Sequence, residues 1–497
     1  MGLLVMKRSH IKAKTDYLKL RLLFDNPLAK ATIFHLLATT DGGKTRLEEL
    51  MDRLARGEKP RGLRERPILS LVNTVAKAIG IPQEKIPEYM AHPNIRRTIL
   101  NAAFSIQKYG LKLPMTFYAP LMVVWNITYI CNLRCKHCYE NAGALRPKEL
   151  SAGELSKEEK LALVDEIADS QIPTLSFSGG EPLLCRDFWD VVEKASERGL
   201  YLSMNTNGTP ITPEVARRLK EYDFAYVAVS IDSANPEKHD FFRGVKGAWE
   251  WSIKGIKNVI EAGGNAILSV TVTKYNYDEF RDILELGRKL GVYKVMVYNF
   301  IPIGRGKEIW HSDLTPDEKE SILQQMYDFL LEGGSLCTTA PQLGRFTLDK
   351  DKPEFAPIAH LGVGKAKDLS LLAELIGGCG VARAYMAIQP DGTYTPCVYI
   401  PDVHLGNFKT DRILDVWHNH PFLNKLRDRS LLWGACGSCE YNRACGGCRA
   451  RALAYFGDPM APDPGCIKNK EYFEEFVNKH PEIYSYSETE EVPSASD

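Results

Sequence analysis

The chain has 497 residues, 63 of them basic and 63 acidic, so its formal net charge is zero. Hydrophobic residues make up 44% of the chain and charged residues 25%, as in ordinary globular proteins, and the length predicts about two to four domains. This balance gives no general attraction to nucleic acid or to an anionic membrane. The longest apolar runs, such as residues 120–125, are far short of the roughly 20 residues of a membrane-spanning helix.

Twelve cysteines are the most informative feature of the composition. Disulfide frameworks belong to small exported proteins. The first residues, Met1 to Arg8, lack the apolar core and the cleavage site of an export signal. Tight Cys-x-x-Cys spacing in a long chain instead indicates metal or iron–sulfur ligation. We therefore expect a reducing compartment, the cytoplasm.

Residues 1–118 form the first predicted domain, and their apolar side chains recur at helical spacing. They contain neither metal-ligand spacing nor a phosphate-binding loop. Two interpretations stay open: a helical packing domain, or a domain that recognises a substrate or a partner. The predicted helices are 28–37, 47–54, 69–79 and 95–109.

Residues 119–310 change to short apolar strands that alternate with helices, which predicts parallel βαβ units. Six such units predict an α/β fold, a partial (β/α)6 TIM-like barrel, whose chemistry lies at the carboxyl ends of its strands. The predicted strands are 121–128, 173–178, 200–206, 225–231, 266–273 and 293–301. The predicted helices are 152–169, 183–198, 211–221, 247–261 and 276–290.

Three further segments complete the predicted organisation. Residues 311–376 combine a linking helix at 315–333 with an irregular insertion. Residues 377–470 form a cysteine-dense domain with a hairpin signal at Gln389-Pro-Asp-Gly-Thr393. Residues 471–497 form a C-terminal tail, whose acidic and polar end from Ser485 onward predicts disorder.

The loop after the first strand carries Cys131, Cys135 and Cys138 in Cys-x-x-x-Cys-x-x-Cys spacing. A cubane iron–sulfur cluster takes four ligands when protein alone binds it. Three thiolates therefore leave one iron free for another ligand. In this position the motif resembles that of the radical S-adenosylmethionine (SAM) superfamily. The resemblance implies a [4Fe-4S] cluster that binds SAM through its open iron.

Motifs on later strands extend the resemblance. Gly179-Gly180-Glu181-Pro182 follows the second strand. Glycine lets the backbone approach a ligand, and a carboxylate can accept from an ammonium group. In the family this motif binds the SAM amino group, and Glu181 matches its carboxylate. Small polar groups at the ends of the third and fourth strands suit the ribose hydroxyls, and the family uses the end of the fourth strand in this way. These residues are Asn205 on the third strand and Ser230 and Asp232 at the end of the fourth.

Two residues are assigned to the remaining parts of SAM by the same resemblance. Arg243 matches the family arginine that meets the SAM carboxylate, a task that suits a guanidinium group; a salt bridge on a helix surface is the alternative. His137 occupies the position of an aromatic side chain that lies against adenine; simple exposure is its alternative. Weaker candidates for adenosine contacts are Thr273, Asn276, Tyr298 and Asn299.

The cysteine-dense domain resembles the SPASM extension of radical SAM enzymes, which carries auxiliary iron–sulfur clusters. Cys379 and Cys397 enclose Gly392, and two Cys-x-x-Cys pairs and a last cysteine follow. Zinc is the competing interpretation of such pairs. The resemblance assigns the outer cluster to Cys436, Cys439, Cys445 and Cys466. It assigns the inner cluster to Cys379, Cys397 and Cys448.

The inner set departs from the family pattern because a fourth ligand is missing. Its last pair, Cys445-x-x-Cys448, is also one residue tighter than usual. Either the fourth iron is open to water or substrate, or Cys337 supplies the missing thiolate. Cys337 as a buried spectator thiol remains the alternative. Cys185, which follows Gly-Gly-Glu-Pro, is expected in the core.

The resemblance implies a radical SAM oxidoreductase or maturase with three [4Fe-4S] clusters. It would cleave SAM reductively to a 5′-deoxyadenosyl radical, which abstracts hydrogen from a substrate. We expect anaerobic chemistry, a ferredoxin- or flavodoxin-like electron donor, and a peptide or protein side chain, or a small molecule, as substrate. Biosynthesis of a tetrapyrrole (heme) or another cofactor is one alternative. An iron–sulfur electron carrier is the other, although it would not need Gly179–Pro182 or Arg243.

Overall fold

The structure is a computed structural model. It describes residues 17–18, 21–22, 24–58, 82–143, 153–350, 354–358, 362–365 and 373–484. The predicted helix at 69–79 and the predicted disordered end at 485–497 lie outside these residues.

A ten-stranded sheet organises the described chain, with strand order β12-β11-β10-β1-β2-β3-β4-β5-β6-β7. Strands β1 to β7 are parallel to one another, β10 is parallel to β1, and β11 and β12 are antiparallel additions beyond β10. The strands are β1 (Met122–Asn126), β2 (Thr174–Ser178), β3 (Tyr201–Thr206), β4 (Tyr226–Ser230), β5 (Ala266–Val272), β6 (Lys294–Asn299), β7 (Leu336–Thr338), β8 (Phe355–Ile358), β9 (Gly362–Lys365), β10 (Tyr385–Ile388), β11 (Thr393–Thr395) and β12 (Gly406–Asn407). Strands β8 and β9 form a separate antiparallel pair.

Helices cover the outer face of this sheet and form most of the N-terminal region. They are α1 (Pro27–Leu37), α2 (Arg46–Ala55), α3 (Ile86–Ala91), α4 (Pro93–Tyr109), α5 (Lys157–Asp169), α6 (Phe188–Glu197), α7 (Pro213–Glu221), α8 (Pro236–Arg243), α9 (Ala248–Glu261), α10 (Phe280–Leu290), α11 (Pro316–Leu331), α12 (Gln342–Leu348), α13 (Ile413–Asn419), α14 (Pro421–Arg427), α15 (Gly434–Ser438), α16 (Arg449–Phe456), α17 (Lys470–Lys479) and α18 (Pro481–Tyr484). Short 3-10 turns lie at Gln83–Lys85, Pro182–Leu184, Gly304–Ser312, Arg429–Leu431 and Ile467–Asn469.

Local sequence explains where several helices begin. Ser156 caps α5, and Thr315 caps α11, each by accepting from the backbone N–H three residues later. In both helices a glutamate at that third position accepts in return from the N–H of the capping residue. Such a capping box satisfies two N–H groups that have no partner inside the helix.

The alternation of side chains along the parallel strands separates a packed face from a lined face. Val123, Trp125 and Phe177 have no exposed surface and pack in the core shared with the helices. The intervening residues face the inside of the curved sheet and line a single cavity, among them Ser178, Asn205, Ser230 and Thr271. Polar residues on predicted strands therefore mark the inside of the barrel.

The predicted fold class is confirmed: the sheet is mostly parallel, and the first six strands all occur where the sequence predicts them. Two strands lie beyond the predicted set. β7 forms within the segment that we predicted to be irregular, and β10 of the cysteine-dense domain pairs in parallel with β1. This second pairing joins the C-terminal domain to the barrel edge. Among the described residues, every helix is too short or too polar to cross a membrane.

The N-terminal helices have a core of their own, built from apolar side chains of α1 to α4 such as Leu50, Met51 and Leu100. Asn101 of α4 ties this core to the start of the barrel. Its side chain is fully buried, donates to the carbonyl of Ala119 at 2.9 Å, and accepts from the Ala119 N–H at 3.2 Å.

Candidate active site

The three cysteines of the first motif lie on the loop that follows β1, at the carboxyl end of the sheet. Cys135 is buried, whereas Cys131 and Cys138 are half-buried, and all three line the cavity inside the barrel. The end of α8 holds this loop: the N–H of Arg134 donates to the carbonyl of Arg243 at 3.0 Å. The thiols therefore face the cavity from a loop fixed on its outer side.

The glycine motif packs directly beneath the cysteine loop. The N–H of Gly180 donates to Thr128 at 2.7 Å, and the N–H of Glu181 donates to Ile130 at 2.7 Å. A Cβ on Gly180 would lie 2.2 Å from the Ile130 carbonyl oxygen, and Gly179 has φ = +124°. Glycine is therefore required at both positions, and both glycines line the cavity.

Glu181 connects the glycine motif to the end of β3. Its Oε1 accepts from the Thr206 hydroxyl at 2.7 Å and from the Leu183 N–H at 3.3 Å, and its Oε2 accepts from the Asn207 N–H at 2.8 Å. Burial raises the pKa of this carboxyl to about 7, against these hydrogen bonds, which lower it. Both carboxylate oxygens of Glu181, which we expected at the SAM amino group, thus accept hydrogen bonds from the protein. Gly179 and Gly180 form the wall of the cavity at this point.

Arg243 and Asp232 form a buried ion pair beside the first cysteines. Arg243 Nη2 lies 2.6 Å from Asp232 Oδ2, and Arg243 Nη1 donates to Cys135 Sγ at 3.6 Å. Burial opposes ionisation of Asp232, but Arg243 outweighs it and holds the pKa of the carboxyl below its usual value. Arg243 Nε is buried and has no hydrogen-bond partner among the described residues. A free donor therefore remains on the guanidinium group that lines the cavity.

His137 also lines the cavity, but one face of its ring is already covered. It stacks on Phe242 with ring centroids 4.5 Å apart and an angle of 8° between the planes. Its Nε2 lies 3.7 Å from Asp232 Oδ2. Burial lowers the pKa of His137 to about 4, so the ring is neutral.

The other predicted SAM contacts separate into two groups. Asn205, Ser230, Tyr298 and Asn299 line the cavity, and the Tyr298 hydroxyl donates to Asn205 Oδ1 at 2.9 Å. Thr273 and Asn276 instead build a buried corner behind it. Asn276 Nδ2 donates to the carbonyl of Asp232 at 2.7 Å. Asn276 thus holds the residue that pairs with Arg243.

The four cysteines assigned to the outer cluster gather in the C-terminal domain. Cys436, Cys445 and Cys466 are buried, and Cys439 is half-buried. Burial raises the pKa of Cys445, and the nearby thiols of Cys466 and Cys436 raise it further. Burial likewise raises the pKa of Cys439, to which Cys436 also contributes.

The three cysteines assigned to the inner cluster share the barrel cavity with the first motif. Cys379, Cys397 and Cys448 all line it. Burial raises the pKa of Cys448, and Cys379 and Cys397 add to that effect, which indicates that the three thiols lie close together. The N–H of Cys379 donates to the carbonyl of Cys445 at 3.1 Å, which links the inner set to the outer one.

Cys337 lies on β7 in an apolar cluster. Its thiol packs with Ala228, Ile267 and Met296, and its Sγ lies 3.9 Å from the Val295 carbonyl oxygen. Among the contacts of the described residues, none joins Cys337 to Cys379, Cys397 or Cys448. Cys185 is buried in the core, as expected, with Lys160 Nζ 3.5 Å from its sulfur.

The structure adds phenol groups that the motifs did not indicate. Tyr139 and Tyr399 meet edge to face across the cavity with ring centroids 5.1 Å apart, and Tyr226 and Tyr385 also line it. The hydroxyl of Tyr385 lies 4.0 Å from Cys397 Sγ. The sequence could have indicated two of these tyrosines by their position next to predicted cluster ligands. Tyr139 follows Cys138 directly, and Tyr399 follows Cys397 by two positions.

The donor set of the cavity fits iron–sulfur clusters and SAM. Thiol groups of the first cysteine loop and of Cys379, Cys397 and Cys448 reach it, together with the unpartnered Arg243 Nε and glycine backbone. Among the described residues, no three His, Cys, Asp or Glu side chains converge as ligands of one metal ion. The assignment of the cluster ligands therefore rests on cysteine spacing and on the shared cavity.

Comparison with family models identifies both halves of this arrangement. Residues 125–287 match the radical SAM superfamily, and residues 379–449 match the SPASM iron–sulfur cluster-binding domain. These matches contain the first cysteine loop and all six cysteines from Cys379 to Cys448, whereas Cys466 lies beyond them.

Similar proteins extend the match over most of the chain. The AdoMet-dependent heme synthase of Methanosarcina barkeri is 35% identical over 351 residues, which are 70% of this chain and 97% of that protein. The mycofactocin maturase MftC of Mycolicibacterium smegmatis is 33% identical over 357 residues, 70% of this chain and 83% of that protein. The SAM-bound structure of Streptococcus suis SuiB aligns with a TM-score of 0.59 at 17% identity, covering 81% of this chain and 88% of SuiB.

Proposed function

Because this chain belongs to the radical SAM superfamily and carries a SPASM domain, we propose that it modifies a peptide or protein side chain held in the barrel cavity. Bound SAM, cleaved reductively, supplies a 5′-deoxyadenosyl radical that abstracts hydrogen from the substrate. The chain's own residues bind and orient both molecules and exclude water from the site.

Cys131, Cys135 and Cys138 are the proposed ligands of the SAM-binding [4Fe-4S] cluster. The free Nε edge of Arg243 is the donor for the SAM carboxylate, and Asp232 holds that guanidinium in place through Nη2. The backbone at Gly179 and Gly180 is the surface that the SAM amino group approaches. Glu181 is assigned a positioning role, because its hydrogen bonds fix this backbone against β3.

We assign the contacts to the rest of SAM to residues that line the cavity. We assign the ribose to Asn205 and Ser230 and one wall of the adenine site to His137, whose ring is neutral and held by Phe242. Asp232 is assigned to the positioning of Arg243, since its Oδ1 accepts from the Thr271 N–H at 2.9 Å and its Oδ2 pairs with Arg243.

One observation carries the proposal: the first three cysteines and Cys379, Cys397 and Cys448 line the same cavity. A substrate between the two sets would lie within reach of both clusters. We propose three clusters in all, with the outer one on Cys436, Cys439, Cys445 and Cys466. The fourth iron of the inner cluster would face the substrate, since among the described residues the only other thiols that line this cavity are the three of the first cysteine loop.

Two substrate classes have specific support. A maturase is among the relatives, and SuiB, which shares the fold, has been solved with its precursor peptide SuiA. Heme synthases are also among the relatives, at up to 35% identity, and they favour a tetrapyrrole as the second candidate. We further propose a ferredoxin- or flavodoxin-like electron donor and a cytoplasmic, anaerobic setting, because the thiolate-ligated clusters need reducing conditions.

The test is anaerobic reconstitution with iron and sulfide, followed by dithionite and SAM. The enzyme should form 5′-deoxyadenosine, and Cys135→Ala should form none above the cluster-free control. Deuterated candidate substrates then separate the two classes, because abstraction transfers the label into 5′-deoxyadenosine. Transfer from a carboxylated porphyrin and not from a precursor peptide would replace the peptide proposal with the tetrapyrrole one.

A further inference from the structure

Arg305, in the turn after β6, contacts the first cysteine loop through both its backbone and its side chain. Its N–H donates to the carbonyl of Cys138 at 3.0 Å, and its Nε donates to the carbonyl of Cys135 at 2.9 Å. Its Nη1 donates to the carbonyl of Ala142 at 2.7 Å and to Asn141 Oδ1 at 3.1 Å. One residue therefore holds the backbone of two proposed cluster ligands and the end of their loop.

Gly304 allows this close approach. It has φ = +55°, and a Cβ on it would lie 2.5 Å from the carbonyl oxygens of Cys138 and Tyr139. A side chain at this position would push the backbone of Arg305 away from the loop. The contact between the end of β6 and the loop therefore depends on the pair Gly304-Arg305, which none of the sequence motifs includes.

The cysteine loop is held by different groups on its other side, at the end of α8. The N–H of Arg134 donates to the carbonyl of Arg243 at 3.0 Å. The N–H of Lys136 donates to the carbonyl of Phe242 at 2.9 Å. The loop thus presents N–H donors to α8 and carbonyl acceptors to Arg305, and the two contacts fix its backbone from both sides.

Part of the guanidinium group of Arg305 has no protein partner. Its Nη2 is buried and makes no hydrogen bond among the described residues. The hydrogen bonds of Nε and Nη1 go to uncharged oxygens. A guanidinium group carries five N–H donors, and a buried donor without an acceptor is costly. The side chain therefore has donors left for a group that binds beside the loop.

An iron–sulfur cluster on the loop would supply the missing acceptor. Its thiolates carry negative charge, and its sulfurs accept hydrogen bonds. Burial and the thiol of Cys135 raise the pKa of Cys138, and the positive charge of Arg305 acts against both. The guanidinium group is therefore close enough to influence a proposed cluster ligand.

We propose that Arg305 is a positioning residue for the SAM-binding cluster. Its Nε and Nη1 hold the ligand loop, and its Nη2 donates to a sulfur of the bound cluster. A nearby positive charge and hydrogen bonds to sulfur favour the reduced cluster, because reduction adds a negative charge. This inference rests on the proposed function, because it requires the first cluster.

A redox titration of the reconstituted full chain, followed by electron paramagnetic resonance, tests this role. The signal of the first cluster is identified as the one that changes when SAM is added. Arg305→Met removes the charge and all side-chain donors, so the potential of this cluster should become more negative. SAM cleavage with dithionite should slow by about tenfold or more. The auxiliary clusters should keep their potentials.

A second variant separates the charge from the shape of the side chain. Arg305→Lys keeps the charge but not the planar fork, so the potential should move back toward the wild-type value while SAM cleavage stays slower. The matched control is Arg97→Met. Arg97 also donates to carbonyl oxygens, those of Arg198 and Gly199 in the turn before β3, at the amino end of the sheet. Its loss should leave the potential and the cleavage rate unchanged.

A wild-type potential and cleavage rate in Arg305→Met, with full iron content, would overturn the proposal. If Arg305→Met loses the first cluster, Arg305→Lys decides, and wild-type values in that variant would overturn it as well. If no signal responds to SAM, the first cluster is refuted and the proposal with it. If the wild-type protein holds its clusters but forms no 5′-deoxyadenosine, the radical chemistry is refuted, whereas the potential of the first cluster still tests Arg305.

Discussion

The first cysteine loop and the C-terminal cysteine domain both hold the proposed ligands of iron–sulfur clusters, but the arginine that donates to a cysteine sulfur has different partners in the two regions. Beside Cys135, the guanidinium group of Arg243 is paired with Asp232 at 2.6 Å and keeps one free edge toward the cavity. Beside Cys436, Arg449 bonds to carbonyl oxygens and to sulfur. A carboxylate thus fixes Arg243 with one donor left free for a ligand, whereas carbonyl oxygens fix Arg449.

The two regions also differ in how closed they are. Two of the three cysteines in the first loop are half-buried, and all three line the cavity. Three of the four cysteines assigned to the outer cluster are buried. The first region is thus arranged to admit a ligand, and the outer part of the second to enclose a cluster.

The largest effect is expected from removing a first-loop thiol. Cys135→Ala should abolish 5′-deoxyadenosine formation and lower the iron content by about four atoms per chain, the content of one cubane. Iron analysis and chromatography of the reaction measure both. Cys185→Ser is the matched control, because Cys185 is a buried thiol beside Lys160 and should keep both properties. Retained SAM cleavage in Cys135→Ala would place the radical site elsewhere.

Arg243→Gln tests the neutralised arginine. The substitution leaves Asp232 buried without its partner, and breaking a buried ion pair costs about 3–5 kcal/mol. We expect SAM affinity to fall by about 100-fold or more, measured by equilibrium binding to the reconstituted enzyme. Arg198→Gln is the control, because Arg198 pairs with Asp165 and Asp169 at the surface, where such pairs contribute little. Unchanged SAM affinity in Arg243→Gln would exclude this arginine from the SAM site.

The substitution Glu181→Gln tests whether a buried carboxyl group holds the glycine motif in place. Its pKa is raised from 4.5 to about 7, so the folded state binds the proton more tightly than the unfolded state does. Stability from this group is therefore greatest below about pH 4.5 and falls as the pH rises through about 7.

Chemical denaturation at pH 5 and pH 8 measures this loss. Between these values the wild-type protein should lose roughly 2–3 kcal/mol more unfolding free energy than Glu181→Gln, which has no such titration. The exposed Glu214→Gln is the control and should follow the wild-type dependence. Equal pH dependence of the wild-type protein and Glu181→Gln would mean that the carboxyl titrates alike in both states.

Sequence patterns were sufficient for the barrel and for the cysteine loops, because strand periodicity and ligand spacing are local properties. Met122–Asn126 and the five following strands lie where apolar runs predict them. The pairing of β10 with β1 could not be predicted, because it joins residues more than 250 positions apart through backbone hydrogen bonds. The partners of Glu181 and Asp232 depend on the same long-range packing. Spacing therefore indicated residue types at the site, whereas the fold decides which group faces the cavity.

Cys337 shows clearly that the fold, and not the residue type, decides which side chain can reach the site. Its substitution is expected to have the smallest effect. Sequence left it either a fourth ligand of the inner cluster or a buried thiol, and the structure places it on β7 among Ala228, Ile267 and Met296. Burial raises the pKa of its thiol to about 12, and Lys294 offsets this only in part, so the group is a neutral thiol in apolar surroundings.

We expect Cys337→Ala to keep the iron content and the inner-cluster spectrum and to lose about 1 kcal/mol of stability from the small cavity it leaves. Cys448→Ala is the comparison, and it should lose about four iron atoms per chain. If Cys337→Ala instead changes the inner-cluster spectrum, the inner cluster is closed by protein like the outer one. Only the SAM-binding cluster of the barrel loop would then keep an open iron. Both clusters of the C-terminal domain would be fully ligated by protein.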